Sequence, residues 1–146
     1  MDELSNYLDI ALAVVKEGAS TFSKNILNYN QLEQDIGREV KIRADRKLND
    51  VLVKEIKNLS SFNIVSEEEN ENNVYENEYN WILDPLDGSF NYLRSIPIYC
   101  ISLGLWKGFE PQLGVIYDLT KKDIYYYIVG NGAFKLREWR VQSHIK

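Results

Sequence analysis

The stretch Trp81-Ile-Leu-Asp-Pro-Leu-Asp-Gly-Ser89 joins an apolar run to two carboxylates and a turn. Pro85 biases Asp84 toward an extended backbone, as expected at the end of a strand, and Gly88 lets the chain turn sharply at little steric cost. Ser89 follows at a point where a short helix can begin. Because carboxylates suit hard cations and free backbone N–H groups suit anions, the stretch predicts a site that binds Mg²⁺ and phosphate together.

Further acids follow other apolar runs. Glu67 and Glu68 come directly after the apolar run 62–65, and Asp45 closes segment 40–45, in which apolar and polar residues alternate. Alternation with a period of two predicts a strand, so we expect these acids at strand ends. Carboxylates held close together raise one another's pKa values unless cations neutralise them. Three acidic strand ends and a hydroxyl are typical of a metal-assisted hydrolase.

Each of these acids also has a simpler interpretation. Asp45 is a good N-cap for a helix that follows it, because aspartate is among the best N-cap residues. The acids of residues 67–69 fit a solvated loop, and residues 84–88 fit an ordinary turn. The combination of all these elements favours the metal site over three unrelated features.

The remaining pattern predicts an α+β fold, with helices layered on a largely antiparallel sheet in a single domain, 1–146. Amphipathic spacing predicts a helix over 3–26, and a second apolar stripe predicts a helix after Asp45, with a loop over 31–38 between them. Residues 67–80 are predicted as an acidic, asparagine-rich loop. Strands are predicted at residues 62–65, 81–83, 98–106, 112–117, 123–129 and 133–136.

Composition narrows the function classes. The 146 residues are 45% hydrophobic, which suits one modest domain with a real core. A net charge of −5 argues against nucleic-acid and anionic-membrane partners. Cys100, in an apolar run, indicates a reduced thiol and, with the acidic N-terminus, predicts a cytoplasmic location. His144 is predicted to be a tail residue rather than a catalytic base.

Two sequence motifs, in the order in which they occur along the chain, resemble those of a known family. Val65-Ser-Glu-Glu68 followed by Trp81-Ile-Leu-Asp-Pro-Leu-Asp-Gly-Ser-Phe-Asn-Tyr92 resembles the inositol monophosphatase family of Mg²⁺-dependent, lithium-sensitive phosphatases, and Gly130-Asn-Gly-Ala-Phe134 and Val141-Gln-Ser143 resemble its later landmarks. The likeness covers nearly the whole chain but only the family's N-terminal half. It implies the N-terminal part of the family's fold, truncated before a C-terminal half. It also implies Mg²⁺-dependent hydrolysis of a phosphate monoester, inositol monophosphate or a related sugar phosphate.

The resemblance implies a set of magnesium ligands. Glu67, Asp84 and Asp87 match the family's metal-binding acids, and Leu86 would ligate through its backbone carbonyl. Glu68 matches the second acid of the family's Glu-Glu pair and would support the site.

The resemblance also implies a catalytic arrangement in which water attacks phosphorus directly. Gly88 and Ser89 would offer backbone N–H groups to the phosphate. The Ser89 hydroxyl, where the family usually has threonine, and Asp45 would help to activate the attacking water, together with Glu67 and its metal. A small phosphorylated substrate is therefore the expected ligand, and a homodimer or association with a C-terminal half is the expected assembly.

Departures from the family pattern leave two alternatives open. The family's later Trp-Asp motif has no match, since Trp139 is followed by Arg140, and Gln34-Asp35 stands where many members have a lysine. One alternative is a non-catalytic remnant or subunit that keeps the fold and binds metal weakly. The other is a 3'(2'),5'-bisphosphate nucleotidase-type phosphatase, which the third acid, Glu69, favours.

Overall fold

Two long helices lie on one face of a seven-stranded sheet in the computed structural model, which describes residues 2–30, 37–70, 73–137 and 140–144. The helices of these residues are α1 (Glu3–Asn30), α2 (Gly37–Leu59) and α3 (Ser89–Leu93). The strands are β1 (Asn63–Ser66), β2 (Tyr79–Asp87), β3 (Cys100–Lys107), β4 (Glu110–Asp118), β5 (Asp123–Ile128), β6 (Gly132–Arg137) and β7 (Arg140–His144).

The strands lie across the sheet in chain order. β1 and β2 pair in parallel, and each later pair of neighbours is antiparallel. Short turns suffice to join antiparallel neighbours, whereas the parallel β1–β2 pair needs the longer connection that follows Ser66. The predicted α+β fold with a largely antiparallel sheet is confirmed.

The helices and one face of the sheet enclose the core. Alternate residues of β3, namely Ile101, Leu103 and Leu105, are fully buried against the helices, so the residues between them lie on the opposite face. Gly18 of α1 sits where the helices meet the sheet, and a Cβ there would lie 2.5 Å from Cδ2 of Leu52. The glycine therefore lets α1 and α2 pack closely. Trp81 is completely buried.

The prediction of a strand over residues 40–45 is wrong, and so is the loop predicted at Gly37 and Arg38, because α2 begins at Gly37. Four buried residues of α2 repeat at a spacing of four: Ala44, Leu48, Leu52 and Ile56. This helical period runs upstream past Asp45, and a six-residue alternation is too short to be distinguished from it. Asp45 therefore lies well inside a helix, neither at a strand end nor at an N-cap.

Other boundaries also differ from the predictions. β2 extends from Tyr79 to Asp87, so Asp84 lies within a strand rather than at its end. His144 belongs to β7 and pairs with Phe134, so the prediction of a tail residue is wrong. The segments around Gln34-Asp35 and Trp139 lie outside the described residues.

None of the described helices combines the length and the apolar character that a membrane crossing requires.

Candidate active site

A bulge shapes the end of β2. Asp84 pairs with Ser102 and Asp87 pairs with Cys100, so two residues of β2 stand opposite one residue of β3 between these pairs. One of the two is Pro85, which has no N–H to donate to the ladder and is tolerated at such an irregularity. A bulge bends its strand and re-aims the neighbouring side chains. Asp84 is consequently half-buried while Asp87 is exposed to solvent.

Glu67 and Asp84 form a hydrogen-bonded carboxyl pair. The backbone N–H of Glu67 donates to the carbonyl of Leu83 at 3.1 Å, which continues the β1–β2 ladder one residue beyond β1 and sets Glu67 beside Asp84. Burial, followed by the charge of Glu67, the hydrogen bond with it and the charge of Asp87, raises the pKa of Asp84 to about 7. Oδ1 of Asp84 is buried and accepts no hydrogen bond from the described residues. The pair therefore carries negative charge that a cation would neutralise.

A buried polar contact anchors the segment that carries Glu67. The hydroxyl of Ser66 donates to Oδ1 of Asn49 at 2.6 Å, and Nδ2 of Asn49 donates to Oε1 of Glu69 at 3.1 Å. Both Asn49 and Ser66 are almost fully buried. Sequence reasoning missed this contact, although a signal was available in Asn49, a polar residue within the apolar stripe of α2.

Asp45 lies on the same helix as that anchor. It precedes Asn49 by four residues, so the two side chains occupy one face of α2, a single turn apart. Asp45 is only 4% exposed. The helix α2 itself packs against β2 and α3, the two elements that carry Asp84 and Ser89.

Gly88 is the turn between β2 and α3. Its φ is 87°, in the left-handed region, and a Cβ there would lie 2.6 Å from the carbonyl oxygen of Ile98, so only glycine fits. The Gly88 carbonyl accepts the N–H of Tyr92 at 3.0 Å, and α3 begins with Ser89. The first N–H groups of a helix have no partner within it, which leaves backbone donors beside Asp87.

A cleft of about 310 Å³ opens next to Asp87 and Gly88 and continues over β3 and β4. Cys100 lines it, and burial, followed by the charges of Asp87, Asp84 and Asp118, raises the pKa of this thiol to about 11. Cys100 is therefore a neutral thiol at physiological pH and is unsuited to act as a nucleophile, since the thiolate is the reactive form.

The donors at this site fit magnesium better than a metal that needs a closed protein cage. Within the part of the chain that the structure describes, no three acidic, histidine or cysteine side chains are grouped tightly enough to hold a metal ion. Mg²⁺, however, usually takes one or two carboxylates and completes its shell with water and phosphate oxygens. The structure brings Glu67 and Asp84 together with Asp87 within electrostatic range. Glu68 is not among the groups that raise the pKa of Asp84, and its N–H lies 3.4 Å from the Ser66 hydroxyl.

Comparisons with known proteins identify similar sequences over nearly the whole chain. A family model described as the inositol monophosphatase family matches residues 3–144. The fructose-1,6-bisphosphatase/inositol-1-monophosphatase of Methanocaldococcus jannaschii is 34% identical over 128 residues, which are 86% of this chain and 49% of that protein. The inositol-1-monophosphatase of Synechocystis sp. is 31% identical over 135 residues, 90% of this chain and 46% of that protein.

Solved structures show the same architecture. The inositol monophosphatase from Anabaena (Nostoc) sp. superposes with a TM-score of 0.72 at 28% identity, over 92% of this chain and 48% of that one. Inositol monophosphatase II from Staphylococcus aureus superposes with a TM-score of 0.75 at 20% identity, over 88% of this chain and 48% of that one. At this level of identity the likeness concerns the fold alone. The chain spans about half the length of the curated relatives that it matches.

Proposed function

Because this chain belongs to the inositol monophosphatase family, we propose that it provides the metal- and phosphate-binding half of a Mg²⁺-dependent phosphomonoesterase. The observation that carries the proposal is the hydrogen-bonded Glu67–Asp84 pair with the raised pKa of Asp84. The substrate class is a small phosphorylated polyol or sugar, such as inositol monophosphate. The names of the relatives from Methanocaldococcus jannaschii and Synechocystis sp. support this substrate class.

The magnesium ligands are Glu67, Asp84, Asp87 and the backbone carbonyl of Leu86. Support comes from the hydrogen bond between the first two acids, the buried Oδ1 of Asp84 and an all-oxygen donor set. Glu68, next to the Ser66 hydroxyl, supports the loop rather than the metal. When bound, magnesium neutralises phosphate charge and lowers the pKa of a coordinated water.

The chain's other residues hold the phosphate and the attacking water. The backbone N–H groups of Gly88 and Ser89 donate to phosphate oxygens at the turn that only glycine can make. The Ser89 hydroxyl accepts a hydrogen bond from the water and in turn donates to Asp45, so that the pair acts as a weak base while water attacks phosphorus. The P–O bond of the ester breaks as the new one forms, the leaving oxygen takes a proton from solvent to become the alcohol, and no side chain is modified covalently.

Calorimetry tests the metal site without requiring turnover. We expect the wild-type chain to bind Mg²⁺, more tightly when inorganic phosphate is present, and Asp87→Asn to bind it at least about 10-fold more weakly. Asp50→Asn is the matched control, because Asp50 is an exposed acid on α2. Folded wild-type protein that takes up no Mg²⁺ under either condition would exclude the proposed site.

Phosphate release tests the reaction itself. Wild type and Asp50→Asn should release phosphate from inositol monophosphate and sugar phosphates only with Mg²⁺, and Asp87→Asn should be about 100-fold slower. Release that persists in a chelator, or that Asp87→Asn leaves unchanged, would contradict the assignment.

A second candidate is a non-catalytic subunit that keeps the fold and binds metal weakly. The observation in its favour is that the described residues do not enclose a metal ion by themselves, in a chain that spans about half of its relatives. Mg²⁺ uptake without phosphate release from any ester would select this candidate.

The bisphosphate nucleotidase alternative depends on Glu69, whose carboxylate accepts a hydrogen bond from Asn49. Preferential release from an adenosine bisphosphate in the same panel would select that alternative. We also propose a cytoplasmic location, on the ground that Cys100 is a neutral, half-buried thiol among the described residues.

A further inference from the structure

A basic pocket lies between α1 and the turn that joins β4 to β5. It encloses about 280 Å³ and is lined by three lysines, Lys16, Lys24 and Lys122, which we call the lysine pocket. Ala19 and Tyr117, each only 4% exposed, form its floor. No acidic side chain of the described residues lines it. In a chain with a net charge of −5, three positive charges around one pocket favour an anionic ligand.

One face of α1 supplies a wall of the lysine pocket. Lys16, Ser20 and Lys24 follow one another at intervals of one helical turn, and Ser23 lies three residues after Ser20. Positions three and four residues apart share a face of a helix, so two ammonium groups and two hydroxyls are presented together. Each of these groups can donate a hydrogen bond to a phosphate oxygen.

The turn between β4 and β5 fixes the third lysine. Lys122 has a φ of 56°, in the left-handed region, which residues with a Cβ rarely adopt. Its N–H donates to the carbonyl of Asp118 at 2.8 Å, and Oδ1 of Asp118 accepts the N–H groups of Thr120 and Lys121 at 2.9 and 3.0 Å. Such strained positions cluster where a ligand is clamped. A lysine in place of glycine costs stability here, and it places a positive charge at the pocket.

The acids around the pocket have other partners or point elsewhere. Asp118 is held by its own turn, and Oδ2 of Asp123 pairs with Nζ of Lys135 at 2.7 Å. On α1 the neighbouring acid, Glu17, does not line the pocket. Within the part of the chain that the structure describes, none of the three pocket lysines forms an ion pair. Their charges are therefore available to an external anion.

We propose that the lysine pocket binds a small soluble anion that carries one or two phosphate groups. Lysine binds phosphate as a point charge, so this site requires no metal ion. A volume of about 280 Å³ suits a ligand of that size rather than a larger cofactor. The pocket and the cleft beside Asp87 have no described lining residue in common, so this site is separate from the proposed active site.

Calorimetry with inorganic pyrophosphate tests the proposal on the full 146-residue chain in EDTA, where no metal ion takes part. Wild type should bind one pyrophosphate per chain with saturation. Lys122→Gly should bind about 10-fold more weakly and Lys16→Gln/Lys24→Gln about 100-fold more weakly, because each lost lysine removes a charge-assisted hydrogen bond. Glycine adopts the φ of Lys122 freely, so Lys122→Gly should be at least as stable as wild type.

Two controls remove the same charge at other places. Lys121 belongs to the same turn but lines the cleft beside Asp87, and Lys54 is an exposed residue of α2. Lys121→Gln and Lys54→Gln should each keep the pyrophosphate affinity within about 2-fold at physiological ionic strength, because salt screens charges that lie outside the pocket.

Four outcomes would overturn the proposal. The first is a folded wild-type chain that shows no saturable uptake of pyrophosphate. The second is a loss of binding in Lys121→Gln with none in Lys122→Gly, which places the anion in the cleft. The third is equal weakening in all variants, which indicates general attraction to surface charge. The fourth is capture by vesicles that contain phosphatidic acid without any binding of pyrophosphate, which assigns the lysines to a membrane surface. Because EDTA removes Mg²⁺, pyrophosphate binding succeeds or fails independently of Mg²⁺-dependent phosphate release.

Discussion

Replacement of Asp84 by asparagine should stabilise the metal-free protein at pH 8 and remove its stabilisation by Mg²⁺. Burial and the adjacent Glu67 and Asp87 carboxylates make ionisation of Asp84 unfavourable in the folded chain, and its pKa is raised from 3.8 to about 7. Asparagine has nearly the same shape and no charge, so it removes this repulsion. The same substitution takes away a carboxylate that we assign to magnesium.

The direction and size of the expected change in stability follow from the pKa of Asp84. A folded-state pKa above the unfolded one favours folding at low pH, so this stability is fully present below about pH 4 and is lost as pH rises to about 7. The difference between 3.8 and about 7 corresponds to about 4 kcal/mol. Because Asp84 is only half-buried, solvent screening reduces the expected effect to about 1–2 kcal/mol. The gain of Asp84→Asn over wild type should therefore be about 1–2 kcal/mol at pH 8 and close to zero at pH 4.

Urea unfolding followed by tryptophan fluorescence, with EDTA or with excess Mg²⁺, measures both effects. Mg²⁺ at about 100 times its dissociation constant should stabilise wild type by about 2.7 kcal/mol and should leave Asp84→Asn nearly unchanged. Asp118→Asn is a control in which the stability should change in the opposite direction. Burial favours the neutral form of Asp118, but hydrogen bonds from Thr120 and Lys121 outweigh it and lower its pKa, so that variant should lose stability at pH 8. If Asp84→Asn is less stable than wild type in EDTA at pH 8, the reasoning is refuted.

Three further substitutions test buried contacts of the fold by the same unfolding measurement. Asn49→Ala breaks the buried contacts with Ser66 and Glu69 and should cost about 1–3 kcal/mol of unfolding free energy. Calorimetry should also show about 10-fold weaker Mg²⁺ binding, because these contacts anchor the segment that carries Glu67. An unchanged Mg²⁺ affinity would show that they do not position Glu67. Ser60→Ala removes the hydroxyl that accepts the Trp81 indole N–H at 3.0 Å and should cost about 1–3 kcal/mol of unfolding free energy. The control, Ser61→Ala at an exposed position, should cost less than about 0.5 kcal/mol. Equal costs for the two variants would contradict this account. Gly18→Ala places a methyl group against Leu52 and should cost about 1–3 kcal/mol, and a stability gain would mean that the helices can move apart freely.

The strands β3 to β6 could be predicted closely because their signals are local, whereas β7 was not predicted. In β3 the alternation of buried Ile101, Leu103 and Leu105 with Ser102 and Gly104 is visible in the sequence and holds in the structure. Residues that bury one face of a strand must recur at every second position, whatever the partner strand is. The opposite held for residues 40–45, where six residues of alternation could not be separated from a helical period that only the packing of α2 reveals.

The acids themselves were visible in the sequence, but their environment was not. Asp84, Asp87 and Glu67 were identified from the residue types and the order of two short motifs. The bulge at Pro85 depends on pairing with β3, and the burial of Asn49 depends on α2 packing against the end of β1. Sequence spacing contains neither piece of information.

The sequence alone thus determined where the chain turns, which acidic side chains can bind a cation and which strands alternate. The reason is that proline, glycine and the period of the side chains act on the backbone only over a few neighbouring residues. Only the tertiary structure decided that Glu67 and Asp84 share a hydrogen bond and that the pKa of Asp84 rises to about 7. The physical reason is that a carboxylate's ionisation depends on its distance from other charges and from water. The Glu67 N–H to Leu83 carbonyl bond, between residues sixteen positions apart in the chain, sets that distance.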